Sequence, residues 1–266
     1  MSGVIAPRHP FLEHDGPVAV VHRGGAAEAH ENSMAAFQRA VDLGYRYAET
    51  DVRATSDGVL LAFHDATLDR VTDGTGRIAD LPYAQVQGAR VGGVAPIPLL
   101  EDLLGSFPSV RFNLDAKHPA TLRPLVDVLT RANALDRVCV ASFSDRRLRW
   151  LRSALGPRLC TGLGPREIAA VRLASMPGPL GRTLAARAGR LPATALCAQV
   201  PTGPGLLPLV DQRFVDTAHR LGLVVHVWTV DDAATMDRLL DLGVDGLMTD
   251  RPEVLRDVLV ARGQWQ

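Results

Sequence analysis

The feature that most restricts the fold is a regular alternation of short apolar runs and amphipathic segments along the whole chain. Runs rich in valine and leucine have the length of buried parallel strands, and they cover residues 18–22, 46–52, 110–116, 137–142, 159–163, 195–200, 223–229 and 245–249. Helical patterns follow at about 33–43, 99–106, 120–133, 145–155, 165–175, 211–221, 232–241 and 252–262. Eight β-then-α units fill the 266 residues. The pattern therefore predicts an α/β protein with a single-domain (β/α)8 TIM barrel fold, and a doubly wound open sheet is the alternative.

Two segments depart from this repeat. After the second strand the chain turns at Ser56–Asp57–Gly58 and runs back apolar to His64, which predicts a β-hairpin at the barrel mouth. Residues 176–194 form a longer connection than barrels usually have, interpreted as either a short basic helix or a lipid-contacting flap. We expect residues 1–17 to be an N-terminal extension and residues 18–266 to be the barrel domain.

Composition excludes several classes of partner. The 29 basic and 29 acidic residues give a net charge of zero, so we expect neither a nucleic-acid partner nor binding to an anionic membrane surface. No run approaches the roughly 20 apolar residues of a membrane helix, and the N-terminus lacks a signal-peptide pattern. We therefore expect a cytoplasmic protein with no stable membrane insertion, whose oligomeric state the sequence does not indicate. Cys139, Cys160 and Cys197 are far apart in sequence and are interpreted as buried small hydrophobes, not as a disulfide framework or a zinc cluster.

Side chains suited to catalysis stand where the predicted strands end, which in this fold is where active sites form. Residues two apart on a strand share a face, so the paired carboxylates of the second strand project together. Two glycines after the first strand allow close backbone approach to a ligand. The candidate residues are His22, Arg23, Glu49, Asp51, His64, Asp115 and Lys117.

The chemistry of these side chains indicates phosphodiester hydrolysis. An all-oxygen carboxylate site suits a hard divalent cation, Mg²⁺ or Ca²⁺ with Mn²⁺ as a further candidate, and does not suit zinc. Arg23 and Lys117 are the cations expected around a phosphate, although Lys117 could instead pair with Asp115. Lys117 is the single lysine among the 29 basic residues, which favours a functional role. His22 and His64 are candidates for the general acid and base.

Six motifs in order resemble those of the glycerophosphodiester phosphodiesterase (GDPD) family, over about residues 18–258. They are HRGG (22–25), ENS (31–33), ETD (49–51), FHD (63–65), LDAK (114–117) and WTVDD (228–232). The resemblance implies a barrel enzyme that uses a divalent cation to cleave glycerophosphodiesters into glycerol 3-phosphate and an alcohol. The implied roles are acid and base for His22 and His64, metal binding for Glu49, Asp51 and Asp115, phosphate binding for Arg23 and Lys117, and packing on the glycerol or alcohol portion for Trp228.

The chain departs from the family pattern at three positions. Asp115 stands where the family usually has glutamate, and the shorter side chain bears on the choice of cation. His30 replaces a common proline and Asp231 a frequent asparagine, and we expect both to be tolerated.

Two alternative functions stay open: a lysophospholipase D-like enzyme, whose segment 180–191 would help to bind an acyl chain, and a non-catalytic phosphodiester-binding barrel. Trp228 could also be core packing alone.

Overall fold

The computed structural model describes residues 9–27, 30–178, 191–202 and 209–265. Strands and helices alternate as the sequence pattern predicts. The strands are β1 (Val18–His22), β2 (Tyr47–Ala54), β3 (Leu60–Ala62), β4 (Arg90–Val91), β5 (Ala95–Pro96), β6 (Arg111–Ala116), β7 (Val138–Ala141), β8 (Cys160–Gly162), β9 (Ala195–Pro201), β10 (Val224–Trp228) and β11 (Gly246–Thr249). The α-helices are α1 (Met34–Asp42), α2 (Tyr83–Val86), α3 (Leu100–Ser106), α4 (Leu122–Arg131), α5 (Asp145–Leu155), α6 (Pro165–Ala174), α7 (Gln212–Arg220), α8 (Ala233–Asp241) and α9 (Pro252–Ala261).

Eight parallel strands close into a barrel. The order around the ring is β1, β2, β6, β7, β8, β9, β10 and β11, and β11 pairs with β1 to complete it. Glu49 on β2 is in register with His22 on β1, and Asp51 is in register with Asp115 on β6. The predicted TIM barrel is confirmed, and closure excludes the open sheet. The candidate residues of neighbouring strands consequently meet at one end of the barrel.

Capping side chains set the helix boundaries near the predicted positions. The Ser33 hydroxyl accepts a hydrogen bond from the Ala36 amide at 3.2 Å and begins α1, and Asp211 and Asp232 begin α7 and α8 in the same way. Gly44 follows α1 with φ of 97°, a left-handed conformation that glycine adopts without a Cβ clash. The local sequence thus ends these helices where the barrel requires a turn to the next strand.

The predicted hairpin leads into a small layer that the strand-helix repeat did not indicate. β3 runs antiparallel to β2, as expected, and the Phe63 amide then bonds to the Asp51 carbonyl at 2.9 Å. The chain continues through α2 and the β4–β5 hairpin before α3 begins. This layer has its own apolar cluster, centred on Leu61, Phe63, Leu68, Ile78, Val86 and Val91.

The described part of the N-terminal extension closes the other end of the barrel. Phe11 and Leu12 are buried, and the Tyr47 hydroxyl donates to the Phe11 carbonyl at 2.8 Å. The proposed domain boundary at residue 17 stays a prediction.

Most of the unusual connection at 176–194 lies outside the described residues. Among the helices that the structure describes, none has the length and apolar character needed to cross a bilayer.

Candidate active site

A pocket of about 420 Å³ lies at the carboxyl ends of the barrel strands. All eight side chains singled out from the sequence line it: His22, Arg23, Glu49, Asp51, His64, Asp115, Lys117 and Trp228. They come from β1, β2, β6 and β10, from the segment after β3, and from the residues that follow the strands. Residues separated by up to 206 positions in the chain therefore share one cavity because each stands at the same end of a parallel barrel.

The His22 imidazole is held between two carboxylates. Its Nδ1 lies 2.7 Å from Asp250 Oδ1, and its Nε2 lies 3.6 Å from Glu49 Oε2. Burial alone would lower the pKa of His22, but the charge of Glu49 and the hydrogen bond with Asp250 outweigh it, so that the pKa is raised above its ordinary value. Asp250 fixes the ring orientation and leaves Nε2 directed at Glu49.

The residues after β1 turn sharply to bring a guanidinium into the pocket. Arg23 has φ of 51°, an uncommon left-handed conformation for a residue with a side chain. Gly24 has φ of 82°, and a Cβ there would lie 2.7 Å from the Ala36 Cβ. The tight turn lets Arg23 Nε approach Asp51 Oδ2 to 3.0 Å, while Arg23 Nη1 lies 3.3 Å from Glu31 Oε1.

Lys117 bridges the carboxylates of two neighbouring strands. Its Nζ lies 2.8 Å from Asp51 Oδ1 and 2.7 Å from Asp115 Oδ2. Lys117 therefore forms the ion pair with Asp115 that the sequence offered as an alternative, and it pairs with Asp51 as well. Burial would raise the pKa of Asp51, but Lys117 and Arg23 together lower it. Glu49 has no such cation in contact; burial, and then the charge of Asp51, raise its pKa to about 8.

His64 enters the pocket from the hairpin side. Its Nδ1 lies 2.6 Å from Asp65 Oδ1, and Arg53 holds its carbonyl oxygen through two hydrogen bonds of 2.9 and 2.7 Å. Asp65 in turn accepts hydrogen bonds from Arg70, which also donates to Glu31 at 2.8 and 3.0 Å. His64 and His22 thus share a hydrogen bond between Nδ1 and a carboxylate, and the Nε2 of His22 additionally lies 3.6 Å from Glu49.

The buried carboxylates offer oxygens suited to a hard cation. Glu49 Oε2, Asp51 Oδ2 and Asp115 Oδ1 are buried and receive no hydrogen bond, although Asp51 Oδ2 lies 3.0 Å from Arg23 Nε as an ion pair. Buried carboxylate oxygens without hydrogen bonds are costly unless a cation contacts them. The ligand oxygens of these three carboxylates nevertheless do not all lie within 4.8 Å of one another. Among the described residues, the only three His, Cys, Asp or Glu side chains whose ligand atoms do so are the three cysteines. The donor chemistry fits Mg²⁺ or Ca²⁺, and gathering all three oxygens on one ion requires these side chains to move inward.

The opposite wall of the pocket is apolar. The Trp228 ring meets the Phe143 ring edge to face, with centroids 5.7 Å apart, and Lys117 Nζ lies 5.6 Å from the Phe143 centroid. Trp228 also packs on the barrel interior, so it contributes to the core and lines the pocket, and its contact with substrate stays a prediction. The remaining apolar lining comes from Leu163, Pro165, Ile168, Val200, Pro201 and Met248.

Sequence reasoning missed the residues that hold the two histidines. Asp250 directly follows β11, so the rule that polar residues at strand ends belong to the site would have found it. Glu31 and Asp65 lie within quoted motifs but received no role. Arg70 carried no signal, because its contacts come from the unpredicted layer after β3.

The fold and this cluster of imidazoles, carboxylates and cations define a TIM barrel of the phosphodiesterase class. Residues 22–254 match the sequence model of the glycerophosphoryl diester phosphodiesterase family. The chain therefore belongs to this family of phosphodiesterases, and the recognition made from the motifs is confirmed.

Individual relatives cover nearly the whole chain. The "Probable glycerophosphodiester phosphodiesterase 2" of Mycobacterium tuberculosis is 42% identical over 266 residues, which are 100% of this chain and 99% of that protein. A glycerophosphodiester phosphodiesterase of Caldanaerobacter subterraneus is 30% identical over 92% of this chain and 98% of its own length. The fold also matches an Oleispira antarctica phosphodiesterase solved in complex with the product sn-glycerol-3-phosphate, with a TM-score of 0.75, 23% identity and coverage of 92% and 97%.

Proposed function

We propose that the protein hydrolyses water-soluble glycerophosphodiesters to glycerol 3-phosphate and an alcohol with the help of one divalent cation. The observation that carries the proposal is the single pocket in which two imidazoles, two cationic side chains and three carboxylates meet beside an apolar wall. The names of the relatives and the product bound to the Oleispira antarctica protein support this substrate class.

The two histidines are the proposed acid and base. Each contacts a carboxylate through Nδ1, an arrangement that orients the ring and stabilises the imidazolium when Nε2 takes a proton. One Nε2 removes the proton of the attacking oxygen, and the other protonates the alcohol oxygen as its bond to phosphorus breaks. The attacking oxygen is either a glycerol hydroxyl, giving a cyclic phosphate that water then opens, or water itself.

Arg23 and Lys117 are the proposed phosphate ligands. A guanidinium offers a forked pair of donors and an ammonium offers a compact charge, and both match phosphate oxygens. In the described structure they contact Asp51 and Asp115, so negative charge from the substrate would replace part of the carboxylate contact. Trp228 and Phe143 provide the surface for the glycerol or alcohol portion.

Glu49, Asp51 and Asp115 are the proposed holders of the cation, which we expect to be Mg²⁺, Ca²⁺ or Mn²⁺. Such an ion supplies neutralisation of phosphate charge and a lowered hydroxyl pKa. The shorter Asp115 and the ammonium between Asp51 and Asp115 distinguish this site, and they make the choice of cation an experimental question. The cytoplasmic location likewise stays a prediction.

The alternative functions have less support. Residues 180–190 of the segment that prompted the lysophospholipase D interpretation are not described, and the relatives are named for glycerophosphodiesters. A non-catalytic barrel is disfavoured because every proposed proton-transfer and phosphate-binding side chain reaches the same pocket.

Release of glycerol 3-phosphate from glycerophosphocholine by metal-stripped protein tests the proposal. Mg²⁺, Ca²⁺ and Mn²⁺ are added back in turn, and Glu49→Ala serves as the matched variant. We expect turnover to return with at least one ion in the wild type and not in the variant. Turnover on micellar lysophospholipid alone would favour the lysophospholipase D function, and no turnover on either substrate would favour the binding protein.

A further inference from the structure

Three cysteines that lie far apart in the sequence meet inside the barrel. Cys197 Sγ lies 3.8 Å from Cys139 Sγ and 3.9 Å from Cys160 Sγ, and all three sulfurs lie within 4.8 Å of one another. The side chains are fully buried. The three cysteines are buried, as the sequence predicted. Their separation along the chain gave no sign that they form one cluster. It forms because β7, β8 and β9 are neighbours in the ring.

The cluster is distinct from the catalytic pocket above it. Cys139 stands two residues before Ala141, and Cys197 two residues before Gln199, and both later residues line the pocket. Two residues of a strand span about 6.6 Å, so the sulfurs lie one layer below the pocket floor. The chain has only three cysteines, and none of them belongs to the proposed hydrolytic machinery.

The spacing of the sulfurs matches a metal centre better than a disulfide. Three thiolates on a tetrahedral ion with metal–sulfur bonds of about 2.3 Å stand about 3.8 Å apart, which is close to the 3.8 and 3.9 Å observed. A disulfide requires about 2.05 Å and would leave the third sulfur unused. Sulfur donors also select soft ions over the hard ions suited to Glu49 and its neighbours.

A buried histidine stands on β10, the strand next to β9. His226 on β10 is buried, and neither of its ring nitrogens has a hydrogen-bond partner. Its ring nitrogens are not among the donor atoms that lie within 4.8 Å of all three sulfurs, so His226 is a neighbour of the cluster and not a member of it. The thiols hydrogen-bond to one another within an apolar cluster that includes Phe11, Leu12 and Val20.

We propose that Cys139, Cys160 and Cys197 bind one thiophilic metal ion of the zinc class inside the barrel. Binding a divalent ion releases the three thiol protons to solvent and leaves a centre of net charge −1. The proposal does not depend on the hydrolytic function.

Cadmium is the probe, because the sulfur-to-cadmium charge-transfer band in the ultraviolet reports thiolate ligands and not carboxylates. The full chain is stripped of metal, kept reduced and refolded with Cd²⁺, since the site is buried. We expect about one Cd²⁺ per chain with this band, displacement of bound Zn²⁺ by Cd²⁺ in protein refolded with zinc, and a higher Tm than in protein refolded without metal. Glu49→Ala should retain the band, which separates the site from the catalytic pocket.

Cys197→Ala and Cys160→Ser should each weaken Cd²⁺ binding at least tenfold while circular dichroism stays native. Folded wild type that shows no thiolate band after refolding with Cd²⁺ would overturn the proposal without any variant. In that event the three cysteines would be packing residues only.

Discussion

His22 and His64 are each oriented by a hydrogen bond between Nδ1 and a carboxylate, that of Asp250 for His22 and that of Asp65 for His64. If each imidazole transfers a proton, replacing either by alanine should lower kcat/KM by roughly 10²- to 10⁴-fold. His219→Ala is the control, since His219 pairs with Asp245 and does not line the pocket. The assay is glycerol 3-phosphate release at saturating cation. A loss under tenfold for either pocket histidine would remove it from proton transfer.

Asp65 links the hairpin layer to the site, and its titration should appear in the stability of the protein. The hydrogen bond from Arg70 is the main reason that its pKa falls from 3.8 to about 2. A carboxyl whose pKa is lower in the folded state stabilises the fold above its unfolded pKa, and that stability is lost as the pH falls through the folded pKa. Above about pH 5, the free energy of unfolding of wild type should therefore exceed that of Asp65→Asn by an amount that does not change with pH.

Urea denaturation at successive pH values should show this difference shrinking between about pH 4 and pH 2. Arg70→Ala removes the same partner and should converge with wild type over the same interval. A difference that persists unchanged at about pH 2 would show that Asp65 stabilises the fold through packing instead of charge.

At the scale of elements, a buried arginine ties α5 to β8 and α6. Arg152 donates to Thr161 Oγ1 at 2.9 Å and to the Gly162 carbonyl at 3.0 Å, and it forms a paired contact with Glu167 at 2.6 and 3.0 Å. Removing one partner of a buried ion pair leaves the other charge uncompensated, at a cost of about 3 to 5 kcal/mol. Arg152→Ala should therefore lower the free energy of unfolding by roughly that amount.

The matched control is Arg158→Ala, because Arg158 and Asp136 form an ion pair whose side chains are 59% and 57% exposed. An exposed pair contributes about 1 kcal/mol or less. Urea denaturation of both variants measures the contrast, and equal losses would show that the burial of the Arg152 pair does not matter.

Strand and helix positions were largely predictable because each element carries its own period and cap. The pattern placed α5 at 145–155 and β1 at 18–22, as observed. The layer between β3 and α3 was not predicted, because its short elements are stabilised by a shared apolar cluster that includes Phe63 and Ile78 and not by periodicity. Within the site, motif residues were identifiable, whereas the contacts of Arg70 depend on the fold of the layer after β3. Outside the site, the cysteine cluster depends on distances between strands that no local pattern contains.

At the scale of the whole molecule, binding of the catalytic cation should stabilise the fold. An ion that binds only the folded state at 100 times its Kd adds about 2.7 kcal/mol, which raises Tm by roughly 5 °C or more in a protein of this size. Calorimetry of metal-stripped protein with Mg²⁺, Ca²⁺ or Mn²⁺ measures the shift. Glu49→Ala should abolish it, and an equal shift in that variant would place the ion elsewhere.

Closure of the barrel joins the two ends of the chain, and this determines when the site is completed. β1 pairs with β11, and the contact between His22 and Asp250 spans 228 positions. A ribosome-bound chain that lacks its last residues holds β1 with one unpaired edge and His22 without its carboxylate. Enzymatic turnover can therefore begin only after the C-terminal segment has emerged and docked, so activity in a translation reaction would report the final step of folding.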